Sequence, residues 1–105
     1  MENQRIATLK IYIEEDPKDL FSRYALALEY INSGNDTEAQ KIMEALHHSY
    51  PDYLANYYHY GKLLERSGNI EKAIAIFTEG EKLAAKQKNQ KTYNELRGAR
   101  EELED

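Results

Sequence analysis

The chain has 105 residues, with 14 Lys and Arg against 19 Asp and Glu, a formal charge of -5, and no cysteine. That length supports one domain, 1–105, with a modest core and no enclosed substrate chamber. The acidic balance argues against a non-specific nucleic-acid or anionic-membrane binder, and the missing cysteines exclude disulfides, thiolate metal sites and a cysteine nucleophile.

The opening Met1-Glu2-Asn3-Gln4 has neither the basic start nor the apolar block of a secretory signal, and apolar stretches run to four or five residues. A cytoplasmic protein without a membrane span is the expectation. In chain order, the first predicted element is a helix over 3–15, whose apolar face would be Ile6, Leu9, Ile13 and Tyr12. Asp16 then reads as an N-cap with Pro17 at the first helical position, opening a helix over 17–32. Gly34 follows as the left-handed residue that ends it. Asp36 is placed to cap the next helix, which stops before Pro51.

Asp52 reads as the following cap, Gly68 as the stop, and Asn69 as the cap of a helix running to about Lys86. Lys88-Asn89-Gln90 is a polar break. The last predicted helix covers 90–104, with Tyr93, Leu96, Ala99 and Leu103 inward and opposite charges four apart at Lys91/Glu95, Arg97/Glu101 and Arg100/Glu104.

Sliding the chain by 34 residues pairs Ser33-Gly34-Asn35 with Ser67-Gly68-Asn69, Ala39 with Ala73, Ile42 with Ile76, Tyr24 with Tyr58, Leu20 with Leu54 and Pro17 with Pro51. A helical hairpin is therefore repeated, in units 17–50 and 51–87. The second unit contains Tyr57-x2-Tyr60-Gly61-x2-Leu64 and then Ala73-x3-Phe77. The first contains Arg23-x2-Leu26-Ala27-x2-Tyr30, then Ala39-x3-Met43, then Pro51.

This pattern resembles the tetratricopeptide repeat family, W-x2-L-G-x2-Y, then A-x3-F, then P, except that Arg23 and Tyr57 stand at the Trp position. The resemblance implies an all-α solenoid of antiparallel helix pairs. The segment 3–15 would be an N-terminal half-unit helix, and 90–104 a polar-backed C-terminal capping helix. Ala27, Gly61, Ala39 and Ala73 would be close-approach positions, filled by Tyr30, Leu64, Met43 and Phe77. Gly80, inside a helix, is explained by tight packing against the next one.

Helix 17–32 carries a second apolar stripe, Phe21, Tyr24, Leu28 and Ile31, about 130° from its packing face at ~100° per residue. The resemblance implies that first helices line a concave groove, which would place this stripe there. One period on stand Tyr58, Lys62 and Glu65, with Arg66 beside them. Three readings of the stripe stay open: a groove for a peptide or helix of a partner protein, a homodimer contact, or core beneath the N-terminal helix. A carboxylate clamp for chaperone tails is disfavoured by Tyr24 and Leu28. Tyr50, Tyr53, Tyr57, Tyr58 and Tyr60 cluster in the sequence, and most of them read as packing rather than as a dedicated aromatic recognition site.

No catalytic constellation is found. His47-His48 point about 100° apart on a helix and cannot share a metal as an i,i+4 pair would. Phosphate-loop, dinucleotide, zinc-protease and nucleophile-elbow motifs are absent from the sequence. The expectation is a non-enzymatic protein-interaction module with no cofactor, no metal and no nucleic-acid partner.

Overall fold

The computed structural model describes residues 3–104, and among them it contains six helices and no strand. These are α1 (Gln4–Glu15), α2 (Leu20–Asn32), α3 (Asp36–Ser49), α4 (Ala55–Arg66), α5 (Ile70–Lys86) and α6 (Gln90–Leu103). The chain divides into two compact units, the first ending at Ser49 with α1 to α3 and the second starting at Tyr50 with α4 to α6.

In unit 1, α2 packs against both α1 and α3. Ile6 and Leu9 of α1 are buried with Ala25 and Leu26 of α2, and Ile13, Tyr30 and Ile42 pack around them. Arg5 stays outside this cluster and pairs with Glu29 at 2.9 Å, joining the start of α1 to the end of α2. The two helices are therefore antiparallel. Tyr12 does not belong to the apolar face expected for it. It is half exposed, because its position on α1 turns it away from Ile6 and Leu9.

In unit 2, α5 packs against α4 and α6. Its buried residues Ala73, Ile76, Phe77, Gly80, Glu81 and Ala84 follow the i, i+3, i+4, i+7 spacing of one helical face. The close approach expected at Gly61 is present: a Cβ there would collide with Phe77 Cε1 and stand 2.7 Å from Cδ1 and Cζ. At Gly80 a Cβ would meet Leu96 Cδ1 and Tyr57 Cβ, each at 2.9 Å. Leu96 and Ala99 are buried on α6.

The turns α2–α3 and α4–α5 share one geometry. Gly34 and Gly68 have φ of 81° and 89°, and each is followed by an Asn whose N–H reaches back five residues, Asn35 to Tyr30 O and Asn69 to Leu64 O. This is a helix-ending motif that requires a left-handed residue. Lys88, φ 59°, takes the same place between α5 and α6, with Asn89 N–H on Ala84 O. With Ala85 where a proline would fall, α5 runs to 17 residues against 14 for α3.

Helix starts differ from expectation in three places. Lys18 N–H bonds Asp16 Oδ1 at 3.1 Å and Asp19 N–H bonds Asp16 O at 3.0 Å, so Asp16-Pro17-Lys18 closes as a turn and α2 begins at Leu20 rather than at 17. Asp19 is the cap: it accepts from Ser22 Oγ at 2.6 Å and from Ser22 N–H at 3.0 Å, bonds that hold its carboxyl below the ordinary 3.8. Asn35, not Asp36, caps α3, accepting from Glu38 N–H. Asp52 caps nothing, because Pro51-Asp52 is itself a turn and α4 starts at Ala55 without a side-chain cap. Asn69 caps α5 as expected.

Candidate interaction faces

At ~100° per residue, Phe21, Tyr24, Leu28 and Ile31 share one side of α2, and Leu26 projects from the opposite side. α1 covers Leu26 on that side and reaches round to Ala25 at the edge of the stripe, both in the buried cluster. Phe21 is consequently 66% exposed, and Tyr24, Leu28 and Ile31 are only partly covered. The amino-terminal helix does not make the stripe into core.

On unit 2, Tyr58, Lys62, Glu65 and Arg66 share one side of α4. Lys62 Nζ and Glu65 Oε1 pair at 3.2 Å, with about a third of each side chain exposed. The Tyr58 ring lies 6.4 Å from the Phe77 ring and 5.3 Å from His59, edge-on to the latter. Burial lowers the His59 imidazole from its ordinary 6.5, with Glu95 opposing and Arg66 adding to the effect. The residues of each unit are thus brought onto one helix face, apolar on α2 and charged with one aromatic on α4.

Two features were not anticipated. Arg100, expected to pair only with Glu104, also forks onto Glu81 of α5 through Nε at 2.5 Å and Nη2 at 3.0 Å. The signal was in the sequence, since Glu81 interrupts the buried face of α5 and a buried carboxylate requires a counter-charge. Arg97/Glu101 and Arg100/Glu104 pair as expected, at 3.3 and 2.5 Å. The second feature is a hydrogen bond repeated at one period. Arg23 Nε donates to Pro17 O at 2.7 Å, and Tyr57 Oη donates to Pro51 O at 2.6 Å.

Among the described residues, no group of three or more His, Asp or Glu side chains is placed to hold a metal. Among the described residues no helix is long and apolar enough to cross a membrane.

Tetratricopeptide repeat models match residues 21–53 and 54–87, spans that coincide with the pairs α2–α3 and α4–α5. A tetratricopeptide repeat domain protein from Salinibacter ruber, solved in solution, is 39% identical, with a TM-score of 0.80 over 85% of this chain and 90% of that one. The chain belongs to the tetratricopeptide repeat family.

The crystal structure of the Salinibacter ruber domain agrees, at 38% identity and a TM-score of 0.79 over 82% of this chain and 97% of that one. A protein from Bordetella parapertussis shares the fold, with a TM-score of 0.80 at 19% identity, over 98% of this chain and 89% of that one. None of the curated proteins compared matches this chain. Tetratricopeptide repeats are generally protein–protein interaction modules built on a non-catalytic, all-α solenoid fold. In this tetratricopeptide chain, Arg23 and Tyr57 occupy the position where the family pattern has Trp.

Proposed function

We propose that the chain is a protein-interaction module that holds a peptide or helical segment of a partner on the exposed faces of its first helices. Phe21, Tyr24, Leu28 and Ile31 form the apolar contact on α2. Tyr58, Lys62, Glu65 and Arg66 form a charged one on α4. The observation that carries this reading is the 66% exposure of Phe21 at the head of a continuous apolar line. Aromatic side chains exposed in such a line are enriched where proteins meet.

Four partly covered side chains supply at most a few hundred Å2, against roughly 800 Å2 per partner in a stable complex of two folded proteins. The face suits a short segment better than a second copy of the chain. The test is capture of partners from the source cell by wild type and by Phe21→Glu and Tyr58→Ala variants, with mass spectrometry. Loss of partners from either variant, with unchanged helical melting curves, is expected. Equal capture by all three proteins would sink the reading, and a dimer at tens of micromolar that Phe21→Glu dissolves would replace it by self-association.

A further inference from the structure

Behind the α2 stripe, on the other side of the same helix, unit 1 has a cavity of about 270 Å3. Its walls are Ile13 of α1, Leu26 of α2, and Ile42 and Ala45 of α3, and two cations, Arg23 and Lys41, complete the lining. No acidic side chain lines it.

The repeat explains why the space is open. Positions 23, 26 and 45 of unit 1 become Tyr57, Tyr60 and Glu79 one period on. In unit 2 both tyrosines are buried, 2% and 1% exposed, and Glu79 Oε1 stands 3.2 Å from Tyr57 Oη, sharing the proton that goes to Pro51 O. Unit 1 keeps the backbone frame, down to the bond on the proline carbonyl, but replaces two rings and a carboxylate by Arg23, Leu26 and Ala45. The volume that unit 2 fills with its own side chains is left for another occupant.

Size and charge define that occupant. Sites for small molecules run from roughly 300 to 1,000 Å3, so this cavity is scaled to a side chain rather than to a cofactor. Its walls are aliphatic. Arg23 spends its Nε on a neutral carbonyl, which leaves the charge of the guanidinium uncancelled there. Lys41 pairs with Glu38 at 3.4 Å, where the two side chains are 71% and 44% exposed, an arrangement that contributes little and yields easily. By contrast, a hollow of about 400 Å3 on unit 2 contains Arg100, whose charge Glu81 and Glu104 already neutralise.

We infer that the unit 1 cavity is a docking site for a partner polypeptide that inserts an aliphatic side chain and sets the acidic residue following it between Arg23 and Lys41. This site is separate from the Phe21 face, and Phe21→Glu should leave it intact.

The probe is a blocked hexapeptide with Leu-Glu at its centre, titrated into the isotopically labelled chain and followed by NMR. Progressive shifts at Ile13, Leu26, Ile42 and Ala45 are expected. Control peptides with Gln for the Glu, or Gly for the Leu, should bind roughly tenfold more weakly, as expected for a lost charge-assisted hydrogen bond or a lost apolar anchor. Arg23→Tyr, which installs the ring that unit 2 carries, should abolish the shifts while keeping the melting curve. Lys41→Glu, on the exposed side of α3, should weaken the Leu-Glu peptide but not its Gln control.

Equal affinity of the Leu-Glu and Leu-Gln peptides, or no shifts at millimolar peptide, overturns the inference. So does binding of hexanoate in place of the peptide, which would mark a free aliphatic acid as the occupant. A dimer abolished by Arg23→Tyr would mark a second copy of the chain and overturn it equally.

Discussion

Arg23 and Tyr57, one repeat apart, donate to the carbonyl of the proline six residues before them, at 2.7 and 2.6 Å. The bond ties the start of each repeat's first helix back to the turn that precedes it. In unit 2 it holds the chain entering α4, a helix that has no side-chain cap. Burial, with the Glu79 charge second, pushes the Tyr57 hydroxyl far above its ordinary 10.0, so it remains a donor throughout the physiological range. Tyr57→Phe should therefore cost about 1 kcal/mol, the net contribution of one such bond, seen as a lower urea midpoint with unchanged slope. A midpoint equal to wild type would show that the hydroxyl, shared between Pro51 O and Glu79, contributes nothing to stability.

Three helical glycines should respond in opposite directions to alanine. At Gly61 the new methyl meets the buried Phe77 ring, so Gly61→Ala should destabilise by about 1–3 kcal/mol as an overpacked contact. At Gly80 the contacts with Leu96 and Tyr57 are longer, 2.9 Å, than those at Gly61, so the better helix propensity of Ala offsets more of the clash and the loss is smaller. Nothing stands within 4 Å at Gly98, and Gly98→Ala should stabilise by about 0.5–1 kcal/mol. Denaturation midpoints of the three variants check the order; a stabilising Gly61→Ala would contradict the close approach of α4 and α5.

The Glu81–Arg100 fork joins α5 to α6 with the Glu81 side chain only 9% exposed. Arg100→Met leaves that carboxylate buried and unpaired, and about 3 kcal/mol of stability should be lost. The double variant Glu81→Leu with Arg100→Met should recover most of it, because an apolar pair of similar volume needs no counter-charge. If the double variant is as unstable as the single one, the pair does not act as a unit.

Burial lowers the His59 pKa in the folded chain, while the unfolded chain binds its proton near the ordinary 6.5. Stability from this group is complete above that value and declines as pH falls through it towards the folded pKa. One proton sets a limit of about 1.4 kcal/mol per pH unit. Urea midpoints measured at about pH 7.5, 6.5 and 5.5 should fall in wild type and flatten in His59→Gln. Parallel curves for the two proteins would exclude His59 as the source.

Much of the fold was legible because its controlling residues are rare types with narrow roles. Gly34 and Gly68 supply left-handed backbone, and Ala39, Ala73 and Gly61 permit contact that any larger side chain would block. Helix starts were less legible where two acidic residues compete. Asp16 before Pro17 has the form of a cap, but Asp19 also precedes an apolar run and bonds Ser22 twice. Of the candidate faces, periodicity placed Phe21, Tyr24, Leu28 and Ile31 on one side of α2 but left open whether α1 covers them; the burial of Ile6 and Leu9 with Ala25 and Leu26 decides that. The cavity was less accessible to sequence reasoning. Its opening depends on what Arg23, Leu26 and Ala45 fail to fill, and that is read only against the packed tyrosines of the second repeat.

The contact between Gly61 and Phe77 also makes unit 2 a recorder of its own motion. A ring seated against helix backbone, with no exposed surface, cannot turn over unless α4 and α5 briefly part. Each half-turn of Phe77 therefore counts one separation of the two helices. The exchange line shape of its paired ring protons gives the frequency of that breathing in the unmodified chain, with no label attached and no residue changed.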